Sequence, residues 1–208
     1  MLPDKETILV CPHCGTEKAV LSLASGNTFG GRQWWDLKTD YPMRPHVSYV
    51  QKCLCCNKYY MRNLVEHRKR DNYSFEQGLL SYAEMRDALA QMKDSLQGPE
   101  RVNLLIEYVW AYNDAFQREG VERDEASPDD EQLKEFQSVV RELVGILPAD
   151  NRLVYAELLR EATFFEEALE IVDHEDVPDD PILRKLSTII REKSLHRDST
   201  VGIISVQR

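Results

Sequence analysis

Cys11-Pro12-His13-Cys14-Gly15 and, well downstream, Cys53-Leu54-Cys55-Cys56-Asn57 are the two stretches that decide the fold. Each sits between β-type residues. The first lies in TILVCPHCGTEKAVLSL (residues 7–23) and the second in SYVQKCLCCNKYYM (residues 48–61). Thr, Val, Ile and Tyr favour strands on either side, while Gly15 and Asn57 favour the turns. Strand, tight turn, strand is therefore expected twice.

Two residues between cysteines let one turn aim both sulfurs at a single ion. Two such turns complete a tetrahedral four-thiolate site, the preferred structural set for Zn²⁺. The spacing assigns Cys11, Cys14, Cys53 and Cys56 as ligands and residues 1–61 as a zinc ribbon. Cys55 competes with Cys56 for the fourth place. Superposing the turns puts Gly15 after Cys14 and Asn57 after Cys56, and both residue types accept the left-handed backbone that follows the second ligand. Cys55 is then a spare thiol. Four thiolates leave no position for water or substrate, so the zinc is read as structural, with His13 an exposed turn residue. Iron in the same sulfur cage, as in a rubredoxin, is the redox alternative.

The five cysteines all fall in the first 56 of 208 residues, clustered and odd in number, which suits metal binding in a reducing cytoplasm better than a disulfide framework. The N-terminus lacks the basic and apolar regions of a signal peptide, and no apolar run reaches bilayer-spanning length. A soluble cytoplasmic protein without membrane contact is expected.

Charge divides the chain unevenly. Residues 1–73 carry eleven Lys and Arg against seven Asp and Glu; residues 74–208 carry fifteen against twenty-nine. Such an acidic majority argues against a protein that coats nucleic acid, while a local contact through the mildly basic N-terminal part stays open. Residues 24–47, rich in Gly, Asn and Pro, read as a long insertion. Residues 62–73 read as a short helix or linker. The candidate partner surface comprises Trp34 and Trp35, suited to stacking or anchoring, and the basic run Arg68, Lys69 and Arg70. The plainer reading is that the tryptophans seal a small ribbon and the basic run is solvated.

From residue 79 the apolar period becomes helical. Ser81 and Glu84 form a capping box for a helix to about Gln97, stopped by Gly98-Pro99. A second helix starts at Pro99 and ends near Gly120. After an exposed acidic loop over residues 122–131, a third runs from about Asp129 to Leu147. Two helices between Asp150 and His174 break near Thr163, and a last helix, entered through Pro178 and Pro181, spans about Asp180 to His196. The β-branched tail at residues 201–206 is expected to dock as a strand. The division expected is thus 1–73 for ribbon, insertion and linker, and 74–208 for helices, an α+β chain.

Residues 156–173, AELLREATFFEEALEIVD, resemble the middle of a tetratricopeptide repeat (TPR), with Phe165 and Ala168 at its aromatic and small packing positions. Thr163 stands where glycine is usual. The order Gly26-Asn27-Thr28-Phe29-Gly30, Trp35-Asp36 and Pro42-Met43-Arg44-Pro45 ahead of the second cysteine pair resembles that of uncharacterised bacterial proteins joining an N-terminal zinc ribbon to TPR-like helices. That resemblance implies stacked helical hairpins and a bacterial cytoplasmic setting, but no reaction. No phosphate loop, nucleophile elbow or metalloprotease motif is present. The function expected is a non-enzymatic zinc-binding scaffold or adaptor that contacts protein through its helices. The alternatives are a nucleic-acid-associated, transcription-type ribbon factor and a rubredoxin-like or thiol redox protein.

Overall fold

A computed structural model of the chain describes residues 2–71, 79–120, 127–148, 151–174 and 179–206. These residues form small antiparallel sheets and six α-helices, an α+β chain. The strands are β1 (Leu2–Pro3), β2 (Glu6–Val10), β3 (Glu17–Val20), β4 (Leu23–Ser25), β5 (Arg32–Trp34), β6 (Thr39–Asp40), β7 (Val50–Lys52), β8 (Tyr59–Met61), β9 (His67–Arg70) and β10 (Ile203–Val206). The helices are α1 (Tyr82–Met92), α2 (Gly98–Phe116), α3 (Asp130–Ile146), α4 (Arg152–Glu161), α5 (Phe165–His174) and α6 (Pro181–Leu195). Residues 121–126 of the acidic loop, Asp150, Pro178 and the junction at 73/74 lie outside the described residues.

The chain divides into two compact units. One holds residues 1–31 and 39–111 together with 207–208; the other holds 32–38 and 112–206. This partition differs from a cut at residue 73. It assigns α1 and α2 as far as Ala111 to the cysteine-bearing unit, and it assigns Arg32–Lys38, from the middle of the insertion, to the helical unit.

In the first unit β2 is the centre of a three-stranded sheet, paired with β3 (Thr7 opposite Val20) and with β9 (Ile8 opposite Arg68). The segment expected to be a short helix or linker contains the strand β9. Arg62–Leu64 makes a 3₁₀ turn, and His67–Arg70 then pairs along the edge of β2. A second hairpin joins β7 to β8, with Val50 opposite Met61. Leu9, Cys11, Val20, Cys53 and Tyr60 form a small core. Helix α1 starts at the capping box read from the sequence. Glu84 N–H donates to Ser81 Oγ at 3.3 Å, and Ser81 N–H donates to Glu84 Oε2 at 3.1 Å. The helix stops at Met92 and continues as a 3₁₀ turn over Lys93–Ser95, short of Gln97. Its buried face, Tyr82, Met85, Ala88, Leu89 and Met92, has the three-and-four spacing of one helical stripe. Lys52 Nζ reaches Glu84 Oε1 at 2.9 Å, joining β7 to the start of α1.

The second unit is a packed helical core. Asp129 caps α3 through a capping box with Gln132, and Phe136, Val139, Val140 and Leu143 face inward. The Phe136 ring stacks on Tyr112, centroids 3.8 Å apart and planes 5° from parallel. Between α4 and α5 the chain turns at Thr163, whose φ of +66° is the left-handed conformation glycine usually takes. Gln137 braces it, donating to Ala162 O at 3.1 Å and to Thr163 Oγ1 at 2.9 Å. Asp180 caps α6, with Pro181 in the first turn.

The tail does form a strand. Strand β10 pairs antiparallel with β5, Ile203 opposite Trp34. Leu37 takes a φ of +64° in the tight turn that closes Trp34 N–H onto Lys38 O at 2.9 Å. Trp34 and Trp35 are 1% and 7% exposed, both inside the second unit. A Cβ on Gly202 would sit 2.7 Å from the Trp35 ring, so the close approach of the indole requires glycine there.

Candidate metal centre

The two cysteine turns are built alike. In the first, Cys11 N–H donates to Thr16 O and Gly15 N–H to Cys11 O, each at 2.9 Å; in the second, Cys53 N–H donates to Lys58 O and Asn57 N–H to Cys53 O, each at 2.9 Å. Gly15 has φ +75° and Asn57 φ +54°. Both matching positions take the left-handed conformation that their residue types tolerate.

These turns bring the sulfurs of Cys11, Cys14, Cys53 and Cys56 within 4.8 Å of one another. Cys11 Sγ lies 3.8 Å from Cys56 Sγ, and Cys14 Sγ lies 3.5 Å from Cys53 Sγ. A tetrahedron of sulfurs about 2.3 Å from a central ion has edges of roughly 3.8 Å. The four thiols can therefore hold one metal ion. Among the described residues this is the one group of three or more His, Cys, Asp or Glu ligand atoms that converges. Cys55 is exposed and outside the group. His13 is also no ligand, but its Nε2 sits 3.2 Å from Tyr59 O and ties the first turn to the second hairpin.

Proximity sets the protonation of the sulfurs. The hydroxyl and then the backbone of Thr16 stabilise the thiolate of Cys14 and draw its pKa down to about 6. Cys56 also has a lowering backbone hydrogen bond at Lys58, but burial and the sulfurs of Cys53, Cys14 and Cys11 outweigh it and push the thiol up to about 12. Burial raises Cys11 as well. Four thiols this close cannot all ionise without a cation among them, and a divalent metal supplies that charge.

Family models, curated proteins and solved structures were compared with this chain, and none matches.

The site's support comes from a residue that sequence periodicity does not single out. Glu107 of α2 is 5% exposed and points its carboxylate at the chain entering β7. It accepts from Tyr49 N–H at 2.7 Å, Val50 N–H at 3.2 Å and Ser48 Oγ at 2.6 Å, and it lies 3.0 Å from His46 Nε2. A glutamate among the apolar residues of α2 was the available signal; its partners far upstream were not.

Beside the second turn lies an open groove of about 730 Å³, lined by His13, Tyr59, Leu64, Met92 and Leu96 among others. The basic run lies elsewhere in this unit. Arg68, Lys69 and Arg70 are exposed, but acids in their own sheet meet them: Glu66 and Glu17 for Arg68, Asp4 for Lys69, and Glu17 for Arg70. Trp34 and Trp35 are buried and present no contact surface. Of the candidate partner surface read from the sequence, the exposed residues are Arg68, Lys69 and Arg70. Its tryptophans are core, because the 32–38 segment packs with the helical unit.

Proposed function

We propose that Cys11, Cys14, Cys53 and Cys56 hold a structural Zn²⁺, that their two hairpins form a zinc ribbon, and that the protein is a non-enzymatic scaffold binding protein partners. The observation that carries this reading is the sulfur geometry: edges of 3.8 and 3.5 Å with every donor a thiolate, which leaves no position open for substrate. The TPR-like reading of α4 and α5 is supported by the burial of Phe165 and Ala168, the aromatic and small positions of such a hairpin, and by the packing of α4, α5 and α6 on one another. The groove lined by Leu64, Met92 and Leu96 offers apolar surface for a protein contact. Exposed thiols at Cys14 and Cys55 suit a reducing compartment, which we take to be the cytoplasm.

Local neutralisation of Arg68, Lys69 and Arg70 weakens the nucleic-acid alternative, since binding of that kind needs cations free for phosphates. Elemental analysis of the purified protein tests the metal, with one zinc per chain expected. Iron and a visible charge-transfer colour would favour the redox alternative, and no metal would overturn the reading. Affinity capture with the intact chain then tests the scaffold. A reproducible protein partner supports it, and salt-sensitive recovery of nucleic acid in its place overturns it.

A further inference from the structure

The second unit buries three acids and three bases. Asp36, Glu157, Glu161, Arg118, Arg160 and Lys38 are all more than nine-tenths buried. Arg118 takes Asp36 with both terminal nitrogens, at 2.8 and 3.4 Å, while its Nε goes to the half-exposed Asp114. Lys38 also pairs with Asp114. Arg160 donates to both oxygens of Glu157, at 2.8 and 2.5 Å, and its remaining nitrogen donates to Asp198 O at 2.6 Å. Toward the tail, Lys193 is taken by Glu119 and Asp198; on α3, Gln137 faces the end of α4, and Arg141 pairs outward with Glu167. Four carboxyls therefore meet three cations around the end of α4. Among the described residues Glu161 is the one of these carboxyls without an ion pair, and the charge of the neighbouring Arg160 favours its ionised form from a distance.

Its carboxyl receives one direct hydrogen bond among the described residues, from Asn113 Nδ2 to Oε2 at 2.9 Å. Gln117 Nε2 donates to the backbone oxygen of the same residue at 3.1 Å. Glu161 Oε1, Asn113 Oδ1 and Gln117 Oε1 are buried without a hydrogen-bond partner. Three acceptors and no donor is an unfavourable set in an apolar interior, and an uncompensated buried carboxylate is worse. A metal ion does not resolve it, because these carboxyls do not converge as a ligand group. A proton does.

We propose that Glu161 carries a proton at neutral pH and is a proton-held latch between α4 and the end of α2, released by alkali. The proton removes the charge from a carboxyl whose Oε1 has no hydrogen-bond partner and adds a donor to a region whose unpartnered atoms are acceptors. Burial first, then the charges of Glu157 and Asp36, drives the pKa of Glu161 well above the ordinary carboxylic value. The folded state then binds a proton that the unfolded chain has already lost. Stability from this group is complete below the ordinary value and declines as pH rises toward the folded value, the folding constant falling by up to about tenfold per pH unit.

Infrared spectra of the full-length protein, carbon-13-labelled at glutamate, test the latch. A protonated-carboxyl band at pH 7 that fades with alkali and is absent from Glu161→Gln is the expected result. Absence of the band from the wild type overturns the proposal whether or not the variant folds, and so does its persistence in the variant. Hydrogen exchange of the α4 amides, corrected for intrinsic rates, gives a second readout. Between pH 7 and 9 the wild type should lose protection with rising pH while Glu161→Gln, a permanent mimic of the neutral acid, stays level; parallel curves would overturn the latch.

Discussion

The two units differ in the polar groups their interiors hold. The first gathers short strands around four sulfurs, with Leu9, Val20 and Tyr60 beside the cysteines, and also buries Met85, Leu89, Leu105 and Tyr108 of α1 and α2. The strands around the cysteines bury little apolar surface of their own, and the proposed metal ion would supply what that small cluster cannot. The second packs Phe136, Val140, Leu143, Leu159, Phe165, Val172 and Ile190 and then threads charge through the interior, where Arg118 lies 4.5 Å from the Trp34 ring centroid and holds Asp36. On the proposed reading the first unit relies on a bound ion, while the second carries internal ion pairs. Removing the ion and removing a pair should therefore break different halves of the molecule.

The largest effect expected is from Cys53→Ser. Loss of one of four ligands should abolish tight metal binding and unfold the first unit, since a structural Zn²⁺ site supplies on the order of 10–16 kcal/mol of binding energy. Circular dichroism discriminates here. The sequence reading, with helices confined to a separate region, expects the helical signal to survive intact. The structure expects the signal of α1 and of α2 through Ala111 to be lost and that of α3 to α6 to remain. An unchanged helical signal would return those helices to the second unit.

Arg118→Met comes next. It leaves Asp36 buried without its guanidinium and should cost about 3–5 kcal/mol in the second unit. Denaturant unfolding should show that loss while metal stoichiometry stays the same. Metal loss in this variant would erase the contrast between the units.

Glu107→Gln replaces an acceptor that faces two backbone N–H groups with an amide that satisfies them poorly. A cost of about 2 kcal/mol in the first unit follows from leaving buried donors under-satisfied. Faster transfer of the metal to a chelator would register the loosened β7 hairpin, and transfer at the wild-type rate would show that the clamp is dispensable.

The smallest effect concerns the tail. The partly buried Asp198 loses some affinity for charge to desolvation, but Lys193 and Thr200 more than offset this and draw its pKa down to about 2. Its contribution is present above the ordinary aspartate value and is lost as pH falls through about 2, so acid should release it. Asp198→Asn should destabilise the second unit by about 1 kcal/mol at neutral pH after allowance for solvent screening, and thermal unfolding at pH 7 and pH 2 should show the difference between variant and wild type shrinking in acid.

How much of this was legible beforehand follows from the range of the forces involved. The cysteine turns were readable because a Cys-x-x-Cys turn is specified by neighbours: two ligands, and a Gly15 or Asn57 that accepts positive φ. The Ser81–Glu84 box was readable for the same reason, since it satisfies N–H groups within three residues. The basic run 67–70 misled because its charges suggested a solvated linker, while its backbone had an unpaired edge of β2 to complete. Trp34 and Trp35 were placed with the ribbon because they lie between its cysteine pairs.

The sequence by itself determined the four-sulfur site, the helix starts and the α+β character, all of which rest on contacts a few residues long or on ligand chemistry that names its own residues. Only the tertiary structure decided that residues 32–38 pack among distant helices, that Glu107 clamps the approach to β7, and that Glu161 has no ion pair among the described residues. Those outcomes depend on which side chains share an interior. Burial converts an ordinary Glu or Trp into something else through partners dozens of residues away, and the local chain carries no record of them.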